Sequence, residues 1–127
     1  MNNFEGLHPI MTASYNLDWL TKYKVKDVET LRTNLNADQG PADSSTFVND
    51  VMRKIMDGQQ LCWGISDKAG NLIGIVAIYD LSHPAVDVHY QVASAHQASF
   101  NAAEVKTSID SLLAGINHQI DQWVPHL

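Results

Sequence analysis

The sequence predicts an α/β (α+β) domain whose elements follow the order β-α-α-β-β-β-α-β. Apolar and polar residues alternate from Val86 to Val92, which is typical of a strand with one buried face. Apolar residues spaced three and four apart occur instead at 47–56 and 105–113, which indicates amphipathic helices. The chain has 127 residues, 45% of them hydrophobic and 17% charged, so we expect one domain, 1–127, around a single core.

The first half is predicted to hold one strand and two helices. Its segments are a loose lead-in at 1–14 that covers a sheet edge, a strand at 15–23 with an aromatic inward face, a short helix at 25–35 and a linker at 36–45. Ser44 or Ser45 then caps the next helix, because a hydroxyl there accepts a hydrogen bond from a free amide. Gly58 stands where the C-terminal cap of that helix belongs.

The second half is predicted to hold a β-hairpin, a further strand and a helix. The segments are a strand at 61–66, a turn at 67–71, a strand at 72–79, a loop at 81–85, a strand at 86–92 and a helix at 101–114 that Gly115 ends. The second arm of the hairpin is apolar on both faces, so it should lie centrally in a covered sheet. Ile116–Val124 suits both a helix and a strand, and Pro125 ends either one.

Composition excludes several classes of function. A net charge of −6 argues against a general nucleic-acid binder, which needs clustered Lys and Arg. The single cysteine, Cys62, rules out an internal disulfide, and its apolar surroundings predict a buried, inert thiol. The longest apolar run, 72–79, is too short to cross a bilayer, and the N-terminus lacks a secretion-signal pattern. We therefore expect a soluble cytoplasmic protein with no membrane or nucleic-acid partner.

The loop between Val92 and Asn101 is a candidate anion site. Free amides at a helix start point outward, and the helix dipole favours negative charge there. On the preceding strand, Asp87 and His89 share the face opposite the valines, where either side chain could accept a proton. A hydrogen-bonded or surface role is the alternative for His89. Four further histidines are scattered without metal-ligand spacing, so no metal site is expected: His83, His96, His118 and His126.

Four stretches of the chain match, in order, the motifs of one known family. They are Leu61–Ile75 for two strands, Val88–Val92 for the next strand, Asn101–Val105 for a helix start and His118–Pro125 for a last strand. These stretches resemble the GNAT superfamily of N-acetyltransferases, in its ribosomal-protein-alanine acetyltransferase-like branch. The resemblance implies a mixed sheet of about five strands with helices on both faces, and it favours a strand within 116–124. Family members continue past that fifth strand, where this chain is truncated by comparison.

The resemblance also implies a cofactor, a reaction and site residues. In the family, acetyl-coenzyme A lies between the parallel fourth and fifth strands, and a primary amine attacks its thioester directly. Val92 and its neighbours would supply backbone contacts, and His89 or Asp87 the base, for a small-molecule or N-terminal amine acceptor. The pyrophosphate loop, Gln/Arg-x-x-Gly-x-Gly/Ala, falls on Gln97, Ala98, Ser99, Phe100, Asn101 and Ala102.

Two departures from the family pattern leave two functions open. Phe100 stands at a loop glycine, where close approach to the phosphates and a possible φ > 0 favour a residue without a side chain. His89 replaces the glycine usual before the strand tyrosine. The chain is then either an acetyl-coenzyme A-dependent N-acetyltransferase completed by another subunit, or a non-catalytic pseudoenzyme that binds a protein or small ligand. An uncovered fifth strand further predicts a homodimer near the C-terminal strand.

Overall fold

The computed structural model describes residues 10–35 and 43–127, which form a six-stranded sheet with its strands side by side in chain order. The strands are β1 (Ile10–Met11), β2 (Tyr15–Asp18), β3 (Leu61–Asp67), β4 (Leu72–Ile78), β5 (Ala85–Val92) and β6 (Gln119–Val124). The helices are α1 (Val25–Asn34), α2 (Ser44–Met56), α3 (Ser94–Gln97) and α4 (Ala102–Ala114). Neighbouring strands are antiparallel from β1 to β5, and β6 runs parallel to β5. The predicted α/β class with a mixed sheet is confirmed, with β1 as an additional strand.

Helices cover both faces of the sheet, as the side chains of β5 show. The side-chain amide of Gln91 donates to the backbone carbonyl of Leu35, the residue after α1, at 3.2 Å. The alternation of a strand places Tyr90 on the opposite face, and its ring lies 5.9 Å from that of Phe100, just before α4. The α1 side and the α4 side are therefore the two covered faces. None of the described helices is long and apolar enough to cross a membrane.

The core is centred on Trp63 of β3, whose side chain is fully buried. Its indole stacks on that of Trp19, with ring centroids 5.7 Å apart and planes 17° apart. The helix α4 adds Val105, Ile109 and Leu113, all fully buried, which are three of the four residues of its predicted apolar stripe. Apolar burial of this kind is the main favourable term in folding.

The first predicted strand is shorter than its alternating pattern suggests. It ends at Asp18, and Leu20–Lys22 forms a 3₁₀ turn in which the Lys22 amide donates to the Trp19 carbonyl. Leu20 is fully buried, because its side chain packs beside Gly64 on the α1 side of the sheet, opposite the ring of Trp19. Of the predicted lead-in, β1 does cover the edge of β2, whereas residues 1–9, like 36–42 of the predicted linker, lie outside the described residues.

The start of α2 corrects the predicted cap. Asp43, and neither serine, is the N-cap, and its carboxylate accepts from the amides of Ser45 and Thr46. The Thr46 hydroxyl and these amides lower the pKa of Asp43. Ser44 is instead buried, where its hydroxyl accepts from Arg32 of α1 at 3.0 Å. A carboxylate serves as an N-cap as well as a hydroxyl does, so sequence preference alone does not choose between neighbouring candidates.

The ambiguous segment at 116–124 is a turn followed by β6, so the strand favoured by the resemblance is confirmed. Asn117 lies in the turn with φ of 64°, a left-handed conformation that asparagine tolerates better than most residues. The short helix α3, which was also not predicted, lies in the loop that follows β5.

We expect Cys62 to be unreactive in the folded chain. It is buried in β3, and this burial raises the pKa of its thiol to about 12, so the reactive thiolate is scarce at neutral pH. Mass spectrometry after iodoacetamide treatment should show no alkylation of the native chain and complete alkylation in guanidinium. Comparable rates under both conditions would contradict this expectation.

Candidate functional site

The candidate site is a gap beside the C-terminal end of β5. The β5–β6 pairs run from Ala85 with Gln119 to His89 with Val124, and residues 90–92 of β5 extend beyond the last pair. We call the space beside these three residues the β5–β6 gap. It opens at the end of the sheet from which the chain passes through α3 into α4.

The backbone of Val92 faces the gap. In an antiparallel pair, successive residues direct their N–H and C=O groups to opposite sides of the strand. The Ala93 amide donates to the Ile73 carbonyl of the β4 side, at 2.8 Å. The N–H and C=O of Val92 therefore point away from β4 and toward the gap, where a bound ligand would meet them.

The side chain of Gln97 is already hydrogen-bonded to one of these two groups, the carbonyl of Val92. Its amide nitrogen donates to the Val92 carbonyl at 3.0 Å. Ser99 is likewise turned inward, because its hydroxyl donates to the His96 carbonyl at 3.3 Å. Two side chains of the predicted phosphate loop are thus engaged within the loop itself, while the Val92 amide remains directed at the gap. Their predicted contacts with a cofactor stay predictions, as does that of Ala98 in the same turn.

The start of α4 combines capped and uncapped amides. The Asn101 side chain accepts from the Glu104 amide at 3.2 Å, and the Asn101 amide donates to the hydroxyl of Tyr15 at 3.0 Å. Among the described residues, no acceptor is found for the other two first-turn amides, those of Ala102 and Ala103. These two amides, at the positive end of the helix dipole, are the groups best placed to bind an anion.

Phe100 packs into the molecule without backbone strain. Asn117 is the one residue other than glycine with positive φ in the described part of the chain, so Phe100 does not need the conformation that favours glycine. Its ring centroid lies 5.1 Å from that of Tyr15 and 5.9 Å from that of Tyr90, and Tyr90 stacks on Trp123 at 4.8 Å. We call these four rings the aromatic row; it links β2, the loop, β5 and β6 beside the gap.

His89 and Asp87 lie on the α1 side of β5, as the alternation predicts. The Nδ1 atom of His89 is 3.2 Å from the His126 carbonyl. A carbonyl only accepts hydrogen bonds, so Nδ1 carries the proton and Nε2 is left as a potential acceptor in the neutral ring. The Tyr79 ring lies 5.1 Å from the imidazole. Asp87 is exposed two residues earlier.

Two further histidines of the described chain contact the backbone or another imidazole ring. His118 is bonded through Nδ1 to the His83 carbonyl at 2.9 Å, and His126 meets His89 with ring centroids 6.2 Å apart. No group of three or more His, Cys, Asp or Glu side chains suited to a metal ion occurs within residues 10–35 and 43–127.

Sequence reasoning missed the part that Tyr15 plays at this site. Tyr15 is 86 positions from Asn101 along the chain, and its alternating position in β2 predicted only an inward aromatic ring. No local pattern reports the partner of a hydroxyl on such a ring. Trp123 was seen only as an apolar residue of the last strand, and its stacking on Tyr90 also depends on tertiary structure.

The sheet is mixed, its parallel edge strand β6 ends short of the C-terminal end of β5, and a strand-to-helix loop follows β5; this fold is that of the GNAT acetyltransferases. No family model and no curated protein matches the sequence. Among solved structures, the chain is similar to a putative ribosomal-protein-serine acetyltransferase from Vibrio cholerae, with 14% identity and a TM-score of 0.72 over 85% of this chain and 67% of that one. It is also similar to the acetyltransferase from Salmonella typhimurium that modifies the N-terminal serine of ribosomal protein L7/L12, with 14% identity and a TM-score of 0.70 over 87% and 69%.

A third similar structure contains the cofactor that the sequence resemblance implies. It is the microcin C7 self-immunity acetyltransferase MccE in complex with acetyl-CoA and AMP, with 18% identity and a TM-score of 0.61 over 81% of this chain and 62% of that one. The chain thus spans about two thirds of the length of these structures. At such identities the similarity is one of fold, and the ligand belongs to the protein in which it was found.

Proposed function

We propose that this chain binds acetyl-coenzyme A in the β5–β6 gap and transfers the acetyl group to a primary amine by direct attack on the thioester. The observation that carries the proposal is the backbone of Val92, whose N–H points into the gap. A thioester carbonyl placed there would receive a hydrogen bond from this amide. That bond strengthens as negative charge develops on the carbonyl oxygen, which is how an oxyanion is stabilised.

The two ends of the gap suit the two ends of the cofactor. The first-turn amides of Ala102 and Ala103 offer donors to the phosphates. The pantetheine arm would run from there along residues 90–92 of β5, as an added strand beside the parted edge. The acceptor amine then approaches from the α1 side, where His89 and Asp87 lie.

His89 is the residue that we propose as the base. Its Nδ1–H is held by the His126 carbonyl, so Nε2 is oriented to take a proton from the ammonium of the acceptor. The amine nitrogen would then form its bond to the acetyl carbon, the thiolate of coenzyme A would leave with the electron pair of the broken C–S bond, and the second proton of the nitrogen would pass to that thiolate. Asp87 contributes a negative charge that attracts the cationic acceptor.

A second function, that of a non-catalytic binding module, is favoured by a specific observation. Three groups of the predicted cofactor loop are already satisfied within the chain: Gln97 bonds the Val92 carbonyl, Tyr15 bonds the Asn101 amide, and Phe100 is packed in the aromatic row. A loop arranged in this way needs no cofactor to complete its contacts. The predicted homodimer at β6 and the cytoplasmic location stay predictions under both functions.

Calorimetric titration with acetyl-coenzyme A separates the two functions. We expect binding in the micromolar range and release of free thiol when a peptide with an unblocked N-terminus or a small primary amine is added. No heat at about 1 mM cofactor, which corresponds to a binding free energy weaker than about −4 kcal/mol, would contradict the enzyme. Binding that appears only in Phe100→Gly would identify the ring as the block and support the binding module.

A further inference from the structure

The hydroxyl of Tyr15 is hydrogen-bonded to the backbone at the start of α4. It accepts the hydrogen bond of the Asn101 amide at 3.0 Å, and the side chain that holds it is 7% exposed. Ring contact with Phe100 at 5.1 Å and a bond from the Tyr15 amide to the Thr12 hydroxyl fix its position. The Asn101 amide is therefore satisfied before any ligand arrives.

A second contact joins the same turn of the chain to the same helix. The Glu104 carboxylate accepts from the Ser14 amide at 2.8 Å, from the Ser14 hydroxyl at 3.1 Å and from the hydroxyl of Thr12. These bonds, that of Thr12 first, lower the pKa of Glu104 and keep it ionised. A fixed negative charge in the first turn of α4 already complements the helix dipole, which weakens the attraction for a further anion.

We propose that Tyr15 is a gate residue that sets the selectivity of the candidate site between donors with and without a phosphate group. A diphosphate that binds at the start of α4 takes the Asn101 amide from the Tyr15 hydroxyl. The new hydrogen bond from the Asn101 amide to the diphosphate then only replaces the one from this amide to Tyr15, so it adds little to the affinity. The phosphate-free part of the donor lies along β5, so it does not compete with the Tyr15 hydroxyl for the Asn101 amide. The inference rests on the proposed function, because it concerns the phosphate end of the same site.

The test is the variant Tyr15→Phe, which removes the hydroxyl and keeps the ring packed on Phe100. We expect coenzyme A to bind about three- to tenfold more tightly than to the wild type, the range that one net hydrogen bond corresponds to. Binding of pantetheine, which lacks phosphate, should be unchanged. Tyr23→Phe is the matched control, because its hydroxyl bonds Gly64 and Ser66 and lies outside the site; it should bind both ligands as the wild type does.

Unchanged or weaker binding of coenzyme A to Tyr15→Phe would overturn the gate, since the hydroxyl would then be neutral or a donor to the phosphate. If the wild type binds no coenzyme A at all, the proposed function fails, and the gate is tested with inorganic pyrophosphate alone. The chemical shift of the Asn101 amide is then followed by NMR. A larger response in Tyr15→Phe than in the wild type supports the gate, and an equal response overturns it.

Discussion

Replacing His89 by glutamine is expected to lower kcat for acetyl transfer by about 10²- to 10⁴-fold, the usual contribution of a general base. The dissociation constant for acetyl-coenzyme A should stay unchanged, because the imidazole lies on the α1 face of β5, away from the row of amides proposed to hold the cofactor. Glutamine is similar in size and polarity but cannot accept a proton at neutral pH. Steady-state kinetics with saturating amine, combined with calorimetry of cofactor binding, measure the two quantities separately.

His118→Gln is the matched control for this variant. His118 makes the same kind of contact, from Nδ1 to a backbone carbonyl at 2.9 Å, but at the opposite end of β6. It should leave kcat and cofactor binding as in the wild type. A His89→Gln variant with wild-type kcat would remove His89 from the mechanism and leave the acceptor to lose its proton to water or to Asp87.

The largest expected loss of stability follows Trp63→Ala, which should reduce the free energy of unfolding by about 3–5 kcal/mol. The indole is fully buried and stacked on Trp19, so its removal deletes many apolar contacts and leaves a cavity on the face of the sheet that α4 covers. Urea unfolding followed by circular dichroism provides the measurement, with the loss read from the change in midpoint at constant slope.

Tyr79→Ala serves as the comparison, since it also truncates a large aromatic residue but at a site where half of the side chain is exposed. Its cost should be about 1 kcal/mol or less, in the range of surface changes. If the two variants lose equal stability, Trp63 does not have the central place in the core that its burial indicates.

The elements predicted best are those whose apolar residues must repeat at strand or helix spacing because they pack into the core. The hairpin of β3 and β4, the strand β5 and the helix α4 all bury one or both faces, and their bounds differ from the predicted ones by a residue or so. Where local geometry competes with period, the predicted bounds were wrong: β2 ends at Asp18, and the 3₁₀ turn at Leu20–Lys22 replaces the rest of the predicted strand. The cap of α2 was misplaced by one or two residues, because Asp43 and the following serines have similar preferences.

The candidate site was less predictable than the fold for a physical reason. Its position was predicted from the strand-to-helix loop, and Val92, Gln97 and Phe100 were assigned to it from the family resemblance. What the sequence does not contain is the direction of each side chain: that Gln97 turns back to β5, or that Phe100 packs inward on Tyr15. Those directions depend on partners far away along the chain, so no local period encodes them.

The parallel pairing of β5 with β6 has a consequence for the order in which the molecule folds. The strands from Leu61 to Val92 follow one another through short connections, so their pairing closes only small loops. The last strand reaches β5 only after the chain has crossed through α4, and this longer closure has the higher entropic cost. One wall of the gap is thus assembled late, and a fluctuation that opens α4 and β6 would abolish ligand binding while the three-strand meander persists.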